Sequence, residues 1–194
     1  MASNDAYRLI SACYSSPEDA LALLAKEPEP LKARTGLGET ALHYLSVEDQ
    51  LEAVRLLVEH GAEVNTINEC GGTPLSEAAS LGYVDLVAYL LGQGAKLDLP
   101  GQHEPILHDA VRGGNPRIIS MLLASGAEVE ATNDLRETAL HVAAEEDSRL
   151  EILRLLLDAR ANVDSLSIFD ETPLDIAKRS NSFNIVAELL ARQV

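Results

Sequence analysis

Positive charge is scarce in this chain. Fifteen Lys and Arg stand against 31 Asp and Glu, giving a formal charge of −16 and a pI near 4.6. Nucleic-acid affinity rests on cations that neutralise phosphates, so this balance argues against nucleic acid and against anionic membranes. It favours a basic or neutral protein partner met by fast electrostatic encounter, and it also serves solubility. Long hydrophobic runs are missing too: none approaches the 18 apolar residues of a transmembrane helix. Ile10-Ser11-Ala12-Cys13 looks like a lipoprotein cleavage box, but the residues before it include Asn4, Asp5 and Arg8 and form no apolar segment. There is no G-x-S-x-G, no H-E-x-x-H and no phosphate loop. Cysteine is limited to Cys13 and Cys70, too few for a disulfide scaffold.

What is present is periodicity. Thr40-Ala41-Leu42-His43, Thr73-Pro74-Leu75-Ser76, Pro105-Ile106-Leu107-His108, Thr138-Ala139-Leu140-His141 and Thr172-Pro173-Leu174-Asp175 begin 33, 32, 33 and 34 residues apart. A second landmark follows the first four: Gly61-Ala62-Glu63-Val64-Asn65, Gly94-Ala95-Lys96-Leu97-Asp98, Gly126-Ala127-Glu128-Val129-Glu130 and Arg160-Ala161-Asn162-Val163-Asp164. Each piece has a local reason. A Thr ahead of the helix offers a hydroxyl to an orphan N–H, and Pro is tolerated in the first turn. Leu and a small residue three positions on share one helical face, as in Leu75 and Ala78. The next helix is apolar at i, i+3 and i+4, as in Val54-Leu57-Val58, which marks a core-facing stripe. Glycine just past that stripe suits a left-handed cap.

This pattern resembles the ankyrin repeat, whose marks include the 33-residue period and a Thr-Pro-Leu-His core. The resemblance covers nearly the whole chain and implies an all-α repeat solenoid, a stack of helix-turn-helix units with hairpin loops. The register gives an N-terminal capping repeat (1–34), four full repeats (35–66, 67–98, 99–131, 132–165) and a C-terminal capping repeat (166–194), read as one domain over 1–194. The first lacks the signature but carries Ala20-Leu21-Ala22-Leu23-Leu24 in register, with helices expected near 5–14 and 17–26. The last is expected to end in a helix over 185–192. Terminal repeats need a polar outer face, assigned here to Lys178, Arg179, Asn184, Glu188 and Arg192. Met1 and the caps argue against a fragment of a larger scaffold. In a solenoid Cys13 and Cys70 lie too far apart to pair, so both thiols are free, as in a reducing compartment such as the cytoplasm.

Candidate chemistry reduces to structure on inspection. Gly36-Leu37-Gly38-Glu39-Thr40-Ala41 matches half of a dinucleotide fingerprint, but Gly38 fills the turn slot that Gly71 fills one repeat later. His43, His108 and His141 occupy one slot in separate repeats, about 10 Å apart in neighbouring units, too far for one zinc. The resemblance implies that each bonds backbone of the adjacent repeat, with Ser76 and Asp175 departing from the role. His60 and His103 have no ligand pattern around them. Glu145-Glu146-Asp147 with Glu151 reads as a solvated turn, since no calcium-loop spacing is present. Cys13 lacks the His and electropositive setting of a nucleophile. No metal, cofactor or catalytic residue is assigned, and the chain reads as a non-enzyme.

Some repeats depart from the pattern. The third is one residue short in 99–104, the fourth has one extra residue between its helices, and Arg160 takes the capping Gly slot. Arg136 and Asp170 take the slot of Gly38 and Gly71. The resemblance implies partner binding through hairpin tips and the exposed face of the first helices. The matching positions are Leu37, Glu39, Val47 and Glu48, then Glu69, Cys70, Ser80 and Leu81, then Gln102, His103, Glu104 and Arg112. The fourth repeat adds Asp134, Leu135, Glu137, Glu145 and Glu146, and the last Ile168, Phe169 and Glu171. Leu37, Leu135, Ile168 and Phe169 are apolar where a tip should meet water, which suits partner anchors. Together they predict a monomeric protein-interaction module for a partner bearing Lys or Arg beside an apolar residue. The alternative is an acidic inhibitor, antitoxin-like, that masks a basic toxin or nuclease; an enzyme or small-ligand protein with a groove site ranks below both.

Overall fold

The computed structural model describes residues 2–192 and falls into two compact units, Met1–His103 and Glu104–Val194. The repeat limits set at residues 1 and 194 lie outside the described residues. In the first unit, three helical hairpins follow one another: α1 (Ala2–Ser15) with α2 (Pro17–Lys26), α3 (Ala41–Val47) with α4 (Leu51–Glu59), and α5 (Pro74–Ser80) with α6 (Val84–Gly92). A 3₁₀ turn, Glu29–Leu31, follows α2. The second unit repeats the plan with α7 (Ile106–Gly113) and α8 (Pro116–Ala124), α9 (Ala139–Ala144) and α10 (Leu150–Asp158), and α11 (Pro173–Arg179) and α12 (Phe183–Arg192). No strand occurs among the described residues; the β pairing is one isolated bridge between Thr132 and Thr138. The expected all-α repeat architecture is the one adopted.

First helices pack side by side, α1 on α3 on α5 in one unit and α7 on α9 on α11 in the other. Short side chains permit this. Ala78, Ala79, Ala110, Ala143 and Ala144 are fully buried where the helices touch. Second helices bury Val54 and Leu57, Val87 and Leu90, Ile119 and Leu122, and Leu153 and Leu156, the i, i+3 stripe read in the sequence. α1 begins three residues earlier than expected because neither Gly nor Pro interrupts 2–15. The Ser16 hydroxyl opens α2 by accepting the Asp19 N–H at 3.0 Å.

The buried histidines tie each repeat to the next. His43 Nδ1 accepts the Thr40 N–H at 3.2 Å, which fixes the proton on Nε2; that nitrogen faces the Gly72 carbonyl at 3.2 Å. His141 repeats this with the Thr138 N–H (3.1 Å) and the Glu171 carbonyl (3.2 Å). His108 reaches the Glu137 carbonyl at 2.8 Å, but Pro105 has no N–H to give, and the buried His108 Nδ1 has no partner among the described residues. The role implied by resemblance therefore holds for all three. Among the described residues, the Ser76 and Asp175 side chains bond only within their own signatures, to Thr73 and Thr172.

The caps are left-handed where glycine was read, with φ of 94°, 80° and 93° at Gly61, Gly94 and Gly126. Arg160 adopts the same conformation with φ 69°. The extra residue of the fourth repeat is absorbed by a 3₁₀ turn, Asp147–Arg149, ahead of α10. That turn adds to one sequence reading. Half-buried Asp147 has a structural duty beyond the solvated turn: its carboxylate accepts the N–H groups of Asn184 (3.0 Å) and Ile185 (3.2 Å), so α12 is capped from the preceding repeat and begins at Phe183, two residues earlier than expected. The polar outer face of the last repeat is also narrower than expected. Asn184 is turned to Asp147, Glu188 pairs with Arg154 at 2.8 Å, and Arg192 pairs with Asp158 at 3.0 Å, all toward the preceding repeat.

Two outcomes follow. Because a left-handed Arg costs about 1 kcal/mol, Arg160→Gly should raise the melting temperature by about 2–4 °C, the scaling for a chain of this size; an unchanged or lower value would contradict left-handed strain at this residue. Burial lowers the pKa of His43 to about 4 and lowers those of His108 and His141. Unfolded imidazoles take up a proton near pH 6.5, so this stabilisation is complete above about pH 7 and is lost as pH falls from 6.5 toward 4. For His43 alone the loss is on the order of 3 kcal/mol. Thermal melts between pH 7 and 5 should show the decline, and His43→Asn should make it shallower; a flat profile would refute the neutral-histidine argument.

Candidate partner-binding surface

Four of the five hairpin tips among the described residues are each folded by one short polar side chain that the motif reading did not single out. In the first unit, Thr35 Oγ1 accepts the N–H groups of Leu37 and Glu39, both at 3.3 Å. One repeat on, Asn68 Oδ1 accepts those of Cys70 (3.0 Å) and Gly72 (2.8 Å). In the second unit, Asn133 Oδ1 accepts those of Leu135 (3.0 Å) and Glu137 (2.9 Å), and Ser167 Oγ those of Phe169 (3.2 Å) and Glu171 (3.4 Å). Satisfying two N–H groups from within closes the turn and turns the residues between them outward. The available signal was a Thr, Asn or Ser five residues ahead of each Thr-led signature. The shortened finger lacks it, and there Gln102 Oε1 takes the Leu99 N–H instead.

Neighbouring fingers run close together. The Glu69 N–H donates to the Leu37 carbonyl at 3.0 Å and the His103 N–H to that of Gly71 at 3.3 Å. In the second unit the Ile168 N–H donates to the Leu135 carbonyl at 2.9 Å. At Gly71, with φ 77°, an added Cβ would lie 2.5 Å from the His103 nitrogen, so glycine is required by both conformation and space. Arg136 and Asp170 hold the same slot at φ 56°.

The site residues read from sequence divide into three groups. Exposed at tips or helix ends are Leu37, Glu48, Glu69, Cys70, Leu81 and His103 in the first unit, and Asp134, Leu135, Ile168 and Phe169 in the second. Leu37 is 57% exposed and Phe169 65%. A second group is ion-paired. Glu104 pairs with Arg112, Glu145 and Glu146 pair with Arg149 at 3.3 and 3.1 Å, and Glu171 pairs with Arg179 at 3.1 Å. Their charges are therefore partly cancelled, which sequence could not show because the partners lie three to eight residues away in different elements. A third group is half-buried. The Glu39 carboxylate takes the Thr35 hydroxyl, the Val47 carbonyl takes the Tyr83 hydroxyl, Ser80 bonds Glu77, Gln102 closes its finger, and Glu137 takes the Asn133 amide. These shape the surface more than they face a partner.

Two cavities in the first unit, about 220 and 120 Å³, are lined by none of these residues. Both fall below the size that encloses a typical small ligand. Burial pushes the Cys13 thiol up to about 11, away from nucleophilic use. No cluster of three metal-ligating side chains and no helix long and apolar enough to cross a membrane occurs among the described residues.

Helical hairpins tied by buried histidines and carrying paired fingers define a repeat protein. The family description "Ankyrin repeats (3 copies)" matches residues 9–100 and 107–194, and the chain belongs to the ankyrin-repeat family. It is 31% identical to the nuclear factor NF-kappa-B p105 subunit of Gallus gallus, over 83% of this chain and 17% of that protein. It is 31% identical to the putative ankyrin repeat protein FPV031 of fowlpox virus, over 74% of this chain and 45% of that one. It is also 28% identical to an L-asparaginase of Dirofilaria immitis, over 76% of this chain and 31% of that enzyme. The chain thus spans less than half the length of these curated relatives. Ankyrin repeats are protein-interaction modules, and a match to part of an enzyme is a match to its repeats.

Asn133→Ala removes the acceptor of two finger N–H groups. It should cost about 1 kcal/mol and speed amide hydrogen exchange at Leu135 and Glu137; unchanged exchange at both would show that Asn133 does not hold the finger.

Proposed function

We propose that this chain is a non-catalytic module that binds a protein segment carrying Lys or Arg beside an apolar residue, through its hairpin tips and the exposed ends of its first helices. The observation that supports this most is in the second unit. Leu135, Ile168 and Phe169 stand exposed on two fingers joined backbone to backbone, beside Asp134 and Asp170, which make no ion pair among the described residues. An apolar ridge edged by unpaired carboxylates offers one surface for burial and another for cations. The first unit carries a smaller version in Leu37, Glu69 and Cys70. The net charge of −16 strengthens attraction to a basic partner and equally suits an inhibitor that masks a basic protein. Two free thiols fit a reducing compartment such as the cytoplasm.

Fluorescence anisotropy against a panel of peptides, basic-apolar, basic and apolar, tests this. The basic-apolar class should bind best, and affinity should fall in about 0.5 M salt as screening shortens the reach of exposed charges. Leu135→Ser with Phe169→Ser should weaken binding about ten-fold or more and leave the melting temperature within about 1 °C, since neither side chain is in the core. Binding that survives both changes would place the interaction elsewhere.

A further inference from the structure

The fifth place of the second landmark ties neighbouring repeats together. Asn65 holds it in the first unit, and Asn65 Oδ1 accepts the N–H of Lys96, the third place of the following landmark, at 2.8 Å. In the second unit Glu130 Oε1 accepts the Asn162 N–H in the same register, also at 2.8 Å. One period before Asn65 the chain carries Lys32, and an ammonium has no oxygen to offer. In that register the N–H left waiting belongs to Glu63, and it finds no acceptor among the described residues. A cavity of about 220 Å³ opens here, with Lys32, Arg34, Glu63 and Thr66 on its wall. Its donors are largely unengaged. The ion pairs among the described residues of the first unit fall on Arg8 and Arg55, not on Lys32 or Arg34. Arg34 Nη1 donates to the Gly38 and Ile67 carbonyls, which fixes the guanidinium and leaves its other N–H groups available. The Thr66 hydroxyl is 3.5 Å from the Glu63 carbonyl, at the outer limit of a hydrogen bond.

We propose that this cavity binds a small carboxylate of a few carbons, one of whose oxygens accepts the Glu63 N–H as the side chains of Asn65 and Glu130 accept theirs. Lys32 supplies the counter-charge, and the remaining N–H groups of Arg34 supply the paired donors that a carboxylate takes. Leu31 and Ala62 line the space where its carbons lie. The volume is too small for a drug-sized molecule and enough for this one. Two cations face a single carboxylate on the wall, that of Glu63, so the cavity is positive in a chain of net charge −16. Acids farther away act through solvent and are screened beyond about 8 Å at physiological ionic strength. A carboxylate is preferred to phosphate because the group it replaces is the planar oxygen-bearing end of an Asn or Glu side chain. No hairpin-tip residue takes part, so this site and the partner surface proposed above can fail independently.

Amide NMR of the isotope-labelled full chain, titrated with succinate at constant ionic strength, tests this. The Glu63 amide should shift saturably with a Kd on the order of 1 mM. The Lys96 and Asn162 amides, already bonded to Asn65 and Glu130, should stay in place. Lys32→Asn restores the oxygen that Asn65 carries one repeat later, so it should fold normally and move the Glu63 amide without any ligand. It should also weaken succinate binding about ten-fold or more. A Glu63 amide unmoved at about 50 mM succinate overturns the proposal. So does an equal response at Lys96 and Asn162, or binding undiminished by Lys32→Asn. Inorganic phosphate held more tightly than succinate would overturn the assignment to a carboxylate.

Discussion

A hairpin of two short helices cannot bury two apolar faces by itself, and everything else in this protein follows from that shortfall. Each repeat has to finish its neighbour. Leucine and alanine stripes supply the area. The buried histidines supply direction, because an imidazole that accepts from its own Thr N–H and donates to the next repeat's carbonyl works in one tautomer and one register. An uncharged ring is the condition for that pair of hydrogen bonds. The low histidine pKa values and the packing are thus two expressions of one constraint.

Tips and helices divide the labour. Helices carry most of the repeat-to-repeat contacts, and the fingers closed by Thr35, Asn68, Asn133 and Ser167 hold their shape from within. Their outermost residues are consequently free of structural duty. Leu37, Leu135 and Phe169 are kept in water by turn chemistry that is already satisfied without them. Arg136 and Asp170, left-handed without being glycine, show that the second unit accepts side chains where Gly71 cannot. The family thus assigns a role without assigning a ligand.

Much of the fold was legible because repetition averages out local ambiguity. Thr73 read in isolation is a weak cap signal; five signatures at one spacing are not. The left-handed state of Arg160 could be read from its register alone, since three glycines hold that place elsewhere. The candidate surface was legible only in outline. Position in the repeat placed Leu135 and Phe169 at tips, but it gave Glu104, Glu145, Glu146 and Glu171 the same standing as Glu69 and Asp134. The first four are paired with Arg112, Arg149 and Arg179, and a pair formed across a turn leaves no periodic trace. Asn184 and Glu188 misled for a related reason: helical spacing says that a residue is polar and not which neighbour it serves.

By itself the sequence determined the helix count of each repeat, their boundaries to within a few residues, the left-handed caps and the histidine register. All of these depend on contacts that recur at a fixed interval along the chain. Tertiary structure decided which charges remain free and how each finger is closed. Those depend on contacts made once, between particular side chains brought together by packing, and periodicity carries no information about an event that does not repeat.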